Sequence, residues 1–293
     1  MKVRIGISPG RSGLDLDAMD SICIAIADGG FDSLWLSEVL TSDGIDPLVG
    51  LAVAAARHDR LKIGTTMLAP GRNPVRLAKT LATLDRLSGG RLLVTFVPGL
   101  TTSPESEAIG APVKSRGSAM DELLPLLRRL FDGETVEYDG MLGTFGPISL
   151  RPTPLQQPFE FWLGGMVRSS LERCGRLADG WLPSLCTIER AVHGREVINA
   201  AAAETGREIS PEHFGVSVPY ALRRDDAVDR ALASRRAVRD DVVPPVGAAA
   251  IRATLETYIE IGFSKFVLRP LGVTQNWPSE LFELAEAVGD LQS

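Results

Sequence analysis

Residues 62–97 read KIGTTMLAPGRNPVRLAKTLATLDRLSGGRLLVTFV, and this stretch constrains the fold more than any other. A short apolar run ends in small hydroxyl residues and a Pro/Gly-rich turn. An amphipathic run closed by Ser-Gly-Gly follows, and then a second apolar run. The order is strand, loop, helix, turn, strand, which is one βαβ unit. Its first loop opens at the carboxyl end of a strand, the edge where parallel α/β folds bind ligands.

The same rhythm continues along the chain. Strands are expected at 3–8, 31–36, 63–67, 92–97, 161–163, 180–183, 214–221 and 264–268. Helices are expected at 14–29, 48–57, 74–88, 115–131, 168–178, 189–205, 225–239, 248–261 and 278–291. Continuous apolar strands between helices indicate a parallel sheet covered on both faces. Eight such pairs point to an α/β fold of the (β/α)8 (TIM) barrel type, a single domain spanning residues 1–293. A doubly wound sheet would want GxGxxG after its first strand, and Ser8-Pro9-Gly10-Arg11-Ser12-Gly13 does not supply it. One break in the rhythm, at 135–151, reads as a hairpin around Asp139-Gly140 and Gly143, an excursion after the fourth strand–helix pair.

A hydrophobic fraction of 44% supports a large core, and a net charge of −6 argues against nucleic acid or an anionic membrane as the main partner. Cys23, Cys174 and Cys186 are far apart and read as core residues of a reducing compartment. The opening residues MKVRIGISPG lack a long apolar core, and no apolar run approaches a membrane span. The expectation is a soluble, cytoplasmic chain. His58, His193 and His213 show no metal-ligand spacing, so no metal site is expected.

Several blocks together resemble the luciferase-like flavin and deazaflavin oxidoreductases. They are Gly29-Gly30-Phe31-Asp32-Ser33-Leu34-Trp35, Ile63-Gly64-Thr65-Thr66 and Arg72-Asn73-Pro74, then Thr80-Leu81-Ala82-Thr83-Leu84-Asp85 running into Ser88-Gly89-Gly90-Arg91. Later come Phe161-Trp162-Leu163-Gly164-Gly165, Ala178-Asp179-Gly180-Trp181 and Phe266-Val267-Leu268-Arg269-Pro270. Within the family they most resemble the actinobacterial branch that uses coenzyme F420; FMN-using monooxygenases share most of them. The resemblance implies hydride transfer between F420 and a small organic substrate, with FMN as the alternative cofactor and a homodimer built near the second and third strands.

It further implies a cis peptide at Thr66-Met67 behind the ring, with Thr66 facing the ring's polar edge and Gly99 beside it. The backbone of Gly164, Gly165 and Met166, at a helix start, would hold the cofactor phosphate. Glu38 falls where the family carries an acidic residue and is the candidate catalytic group. Two departures stand out. Val39 replaces the histidine expected after that acid, and Thr95 and Val97 replace glycines expected in the fourth strand. An isopropyl group cannot move a proton, and added side chains reshape a pocket. These departures favour a second reading, a cofactor-free, non-catalytic barrel of the same family.

Arg72 and Arg168 are candidates to hold an anion, with a solvated surface role as the plain alternative. Ser169 and Ser170 open a helix and read as N-caps. Trp35, Trp162 and Trp181 read as barrel packing.

Overall fold

The computed structural model describes residues 1–10, 12–100, 104–236 and 241–293. The chain runs β1 (Arg4–Ile7), α1 (Leu16–Asp28), β2 (Ser33–Ser37), α2 (Pro47–Arg57), β3 (Lys62–Leu68), α3 (Pro74–Leu87), β4 (Leu92–Val97) and α4 (Arg116–Phe131). The hairpin β5 (Thr135–Gly140) and β6 (Gly143–Ser149) follows. The second half runs β7 (Trp162–Leu163), α5 (Arg168–Leu177), β8 (Gly180–Trp181), α6 (Ile188–Glu204), β9 (Gly215–Tyr220), α7 (Asp226–Arg236), α8 (Ala248–Glu260), β10 (Lys265–Pro270) and α9 (Trp277–Val288).

Eight of these strands form one sheet in the order β8-β7-β4-β3-β2-β1-β10-β9. Every pairing in it is parallel. Bridges Trp181 to Phe214 and Ser184 to Ser217 join its two edges, so the sheet closes. This is the expected TIM barrel. The hairpin is a separate two-stranded sheet, also as expected. Helix 225–239 is described only to Arg236, and the rest of that expectation lies outside the described residues. The fifth and sixth barrel strands are shorter than expected. β7 lacks Phe161 at its start, and β8 stops short of Pro183, which has no N–H to extend it.

Alternation along each strand divides the side chains into two sets. Ile5, Ile7, Leu34, Ile63, Met67, Phe96, Leu163 and Leu268 are buried with the helices in the main hydrophobic cluster. Trp35, Leu182 and Val267, with Leu93 and Trp162 against them, form a separate cluster inside the barrel. The indoles fit there because glycines face them. A β-carbon added to Gly64 would lie 2.4 Å from the Trp35 ring, and one on Gly180 would lie 2.5 Å from Trp162. Among the described residues no helix is long and apolar enough to cross a membrane.

The helix starts are locally encoded. Asp15, Asp46 and Asn73 accept first-turn N–H groups of α1, α2 and α3, and Pro47 and Pro74 occupy first-turn positions that need no donor. The Ala-rich side of α2 lies against the barrel's own sheet, with Gly50, Leu51, Ala54 and Ala55 buried.

Candidate active site

The carboxyl ends of the strands carry the candidate site. A recess of about 1100 Å³, counting space open to solvent, lies over β1, β2 and β10 and is lined by Ser8, Ser37, Val39, Thr41 and Arg269 among others. Thr66, half-buried, pairs between Ser37 of β2 and Thr95 of β4. Val97 ends β4 and fills the space that a β-carbon on Gly164 would need, only 2.6 Å away. The glycine expected in the fourth strand has thus been exchanged for valine, opposite a residue with no side chain.

Glu38 is placed at the rim, but its carboxylate is engaged. Its side chain is 7% exposed and pairs with Arg72. The same carboxylate accepts the Leu68 N–H at 2.8 Å, while Arg72 Nε donates to the Leu68 carbonyl at 2.9 Å. Both the candidate acid and one candidate anion holder are therefore spent on the loop between β3 and α3. The other, Arg168, projects into solvent, 83% exposed, and bonds Glu172 one turn on.

The Thr66-Met67 bond does not have the cis geometry the resemblance implied. Cis peptides among the described residues are Gly146-Pro147, Arg151-Pro152 and Gln157-Pro158. Here β3 stays in register with β4 through Thr66, Met67 and Leu68, and the Thr66 carbonyl accepts the Glu38 N–H at 2.8 Å. An unbroken ladder holds that backbone extended. Met67 is fully buried in the cluster beneath the helices, so its side chain faces away from the barrel interior. Only its backbone is available to a ligand at the mouth.

Gly99 has φ 81°, and an added β-carbon would meet Ile109 at 2.8 Å and Leu68 at 3.0 Å. Its backbone is held by loop packing. Gly164 donates to the Phe96 carbonyl at 2.9 Å, and the Gly165 carbonyl accepts Trp181 Nε1 at 2.9 Å. Met166 is half-buried against the main cluster. The α5 cap that follows is Val167, whose side chain accepts nothing. Ser169 and Ser170 lie inside the first turn and do not cap it; the Ser170 N–H bonds the Val167 carbonyl at 2.8 Å, which leaves the Arg168 and Ser169 N–H groups without a side-chain cap.

Two residues that no motif announced hold the surrounding loops. Arg116, 2% exposed, donates to the carbonyls of Leu100 at 3.1 Å and Ala111 at 3.2 Å and to Ser106 Oγ at 3.0 Å. Glu105, 8% exposed, accepts the Thr41 N–H at 3.2 Å and so ties the loop after β2 to the loop after β4. Thr95 is fully buried, and its hydroxyl has no hydrogen-bond partner among the described residues. No group of three or more His, Cys, Asp or Glu among the described residues could hold a metal ion.

Known proteins share this framework. An uncharacterised protein of Mycobacterium tuberculosis is 34% identical over 166 residues, covering 55% of this chain and 58% of that one. The FMNH2-dependent dimethylsulfone monooxygenase of Pseudomonas putida is 28% identical over 174 residues, 58% of this chain and 47% of that one. These matches span less than two thirds of either relative's length. Among solved structures, an F420-dependent secondary alcohol dehydrogenase in complex with an F420-acetone adduct superposes with a TM-score of 0.83 at 18% identity, over 100% of both chains. At that identity the likeness is one of fold. The profile of the luciferase-like monooxygenases matches residues 3–263, and the chain belongs to that family.

Proposed function

We propose that the carboxyl face of the barrel binds coenzyme F420 and that the protein is an oxidoreductase moving hydride to or from a small organic substrate. The observation that carries this reading is the start of α5. Gly164 and Gly165 deliver the backbone to a helix whose first N–H groups have no side-chain cap, beside Val97, which packs on Gly164 and is partly exposed. N–H groups without a side-chain cap, those of Arg168 and Ser169, and the helix dipole suit a phosphate tail. The family, the sequence blocks and the F420 enzyme of the same fold support the choice of cofactor.

When bound, the deazaflavin ring supplies the hydride chemistry. The protein contributes position. Gly164, Gly165 and Met166 would hold the phosphate through their backbone, the Thr66 hydroxyl would meet the polar edge of the ring, and Gly99 and the Met67 backbone would border it. Glu38 shapes the rim through Arg72 and Leu68 and is a positioning residue in this reading. Val39, half-exposed beside the recess, supplies no proton.

Fluorescence titration with F420 and with FMN tests the proposal. Saturable micromolar binding of F420 is expected. Binding of FMN alone would move the assignment to a flavin-dependent monooxygenase. Failure of both, in a folded monodisperse sample, would overturn the enzyme reading in favour of a cofactor-free barrel. We also propose a homodimer, with the exposed Val49 of α2 on the contact face. Light scattering at twice the 31.4 kDa chain mass tests it.

A further inference from the structure

The opposite end of the barrel carries a second cavity that the cofactor reading leaves unused. It opens at the amino ends of the strands and measures about 880 Å³, counting the space open to solvent. Its inner wall is the interior cluster of Trp35, Trp162, Leu93, Leu182 and Val267. Both indoles lie flat over glycines, so the wall presents aromatic faces where branched side chains would otherwise interlock.

The rim is cationic, on a chain whose net charge is −6. Lys2, Arg4, Lys62 and Lys265 line it, against the carboxylates of Asp32 and Glu160. Asp32 is already engaged. Asp32 accepts from Lys62 Nζ at 2.9 Å and lies 3.4 Å from Arg4 Nε. Glu160, half-exposed, lies 3.8 Å from His213 Nε2, and the centroid of that imidazole is 5.4 Å from that of the Trp162 ring, tilted 39° to it. Lys265 is different. It is half-buried, and its ammonium donates to the Lys2 carbonyl at 2.9 Å and not to a carboxylate. Burial lowers its pKa, with Glu212 and Asp32 acting in the opposite sense and Arg4 and Lys62 reinforcing the shift. An ammonium so placed gains from an anion brought into the cavity, because in a partly desolvated site a charge-assisted contact is stronger than in water.

We propose that this amino-terminal mouth is a second small-molecule site, for a carboxylate carried on a flat apolar body. The carboxylate would meet Lys265, with Lys2 on the rim beside it. The body would lie against Trp35 and Trp162 and reach Leu93. The site is separate from the cofactor face and does not depend on the identity of the cofactor.

Isothermal titration calorimetry of the full-length protein with 2-naphthoate, and with neutral 2-naphthamide of the same shape, tests it. Saturable one-site binding of the carboxylate is expected, with the amide weaker by about tenfold, the order of one charge-assisted hydrogen bond. Lys265→Gln should weaken 2-naphthoate by about the same factor. Leu93→Trp, which fills the cavity, should abolish binding. Circular dichroism and thermal melts establish that each variant is folded, and titration with F420 or FMN should be unchanged in both. Absence of saturable heat, equal affinity for the amide, or undiminished binding by a folded Lys265→Gln variant would overturn the proposal. So would displacement of 2-naphthoate by the cofactor, which would locate it at the other mouth.

Discussion

Glu38 and Arg72 form an ion pair that closes on the backbone of Leu68 from both sides, the carboxylate taking its N–H and the guanidinium its carbonyl. The arrangement makes the end of β3 and the start of its loop a single rigid corner. Glu38→Gln keeps an acceptor but removes the charge, and should lower stability by about 1–3 kcal/mol in denaturant unfolding. Turnover, once an activity is in hand, should fall far less than the roughly 10²–10⁴-fold expected on removing a general base. A loss of that larger size at unchanged stability would restore Glu38 to a catalytic role.

The start of α5 should be sensitive to a single methyl group. Gly165 has φ 103°, and an added β-carbon would lie 3.1 Å from that of Ser170. Gly165→Ala should therefore displace the backbone that precedes the uncapped N–H groups. The expected result is weaker binding of phosphate-bearing cofactors with little change for a ring lacking the phosphate. Comparing FMN with riboflavin, where FMN binds, or F420 with its dephosphorylated core, reads this directly.

Thr95 gives a prediction of the opposite sign. Its buried hydroxyl has no partner among the described residues, so it pays for desolvation without the return of a hydrogen bond. Thr95→Val should leave stability unchanged or raise it by about 1 kcal/mol in urea unfolding. Destabilisation by that amount would mean that the hydroxyl is satisfied in solution.

Burial raises the pKa of Glu280, with Glu283 reinforcing the shift and Tyr220 and Arg223 opposing it. A carboxyl whose pKa is higher in the folded state contributes stability below its unfolded pKa and loses it as pH rises through the folded one. Glu280→Gln should match the wild type in mild acid and exceed it in melting temperature at neutral pH. A constant difference across that window would contradict the assignment.

The thiols should be silent. Cys23, Cys174 and Cys186 are buried, and burial with Asp20 nearby pushes Cys23 up to about 12, while burial pushes Cys174 higher still. Thiolate is the reactive form. Ellman's reagent should label none of them until the protein is unfolded, and rapid labelling of any one in the folded protein would refute this.

Much of the family resemblance turns out to mark structure. Asp85, fully buried, accepts the N–H groups of Leu155 at 2.6 Å and Gln156 at 3.1 Å, anchoring the segment that returns from the hairpin. Arg91 donates to the carbonyls of Ala55 at 3.0 Å and His58 at 2.7 Å, tying the end of α2 to the start of β4. The blocks were visible as blocks, but the groups they hold lie tens of residues away, and spacing along the chain says nothing of them.

What the sequence determined alone is the set of elements, because the period of its apolar residues is a local property. The alternation of strand and helix and the hairpin after the fourth pair could be read residue by residue. The tertiary structure decided where the charges and side chains of the site are spent. Strand pairing and barrel curvature brought Arg72 onto Glu38, turned Met67 toward the helices, set Val97 against Gly164, and gathered four cations around the amino-terminal mouth. Those outcomes depend on strand register and on contacts between distant segments, and hydrogen-bond capacity used in one place is lost to another.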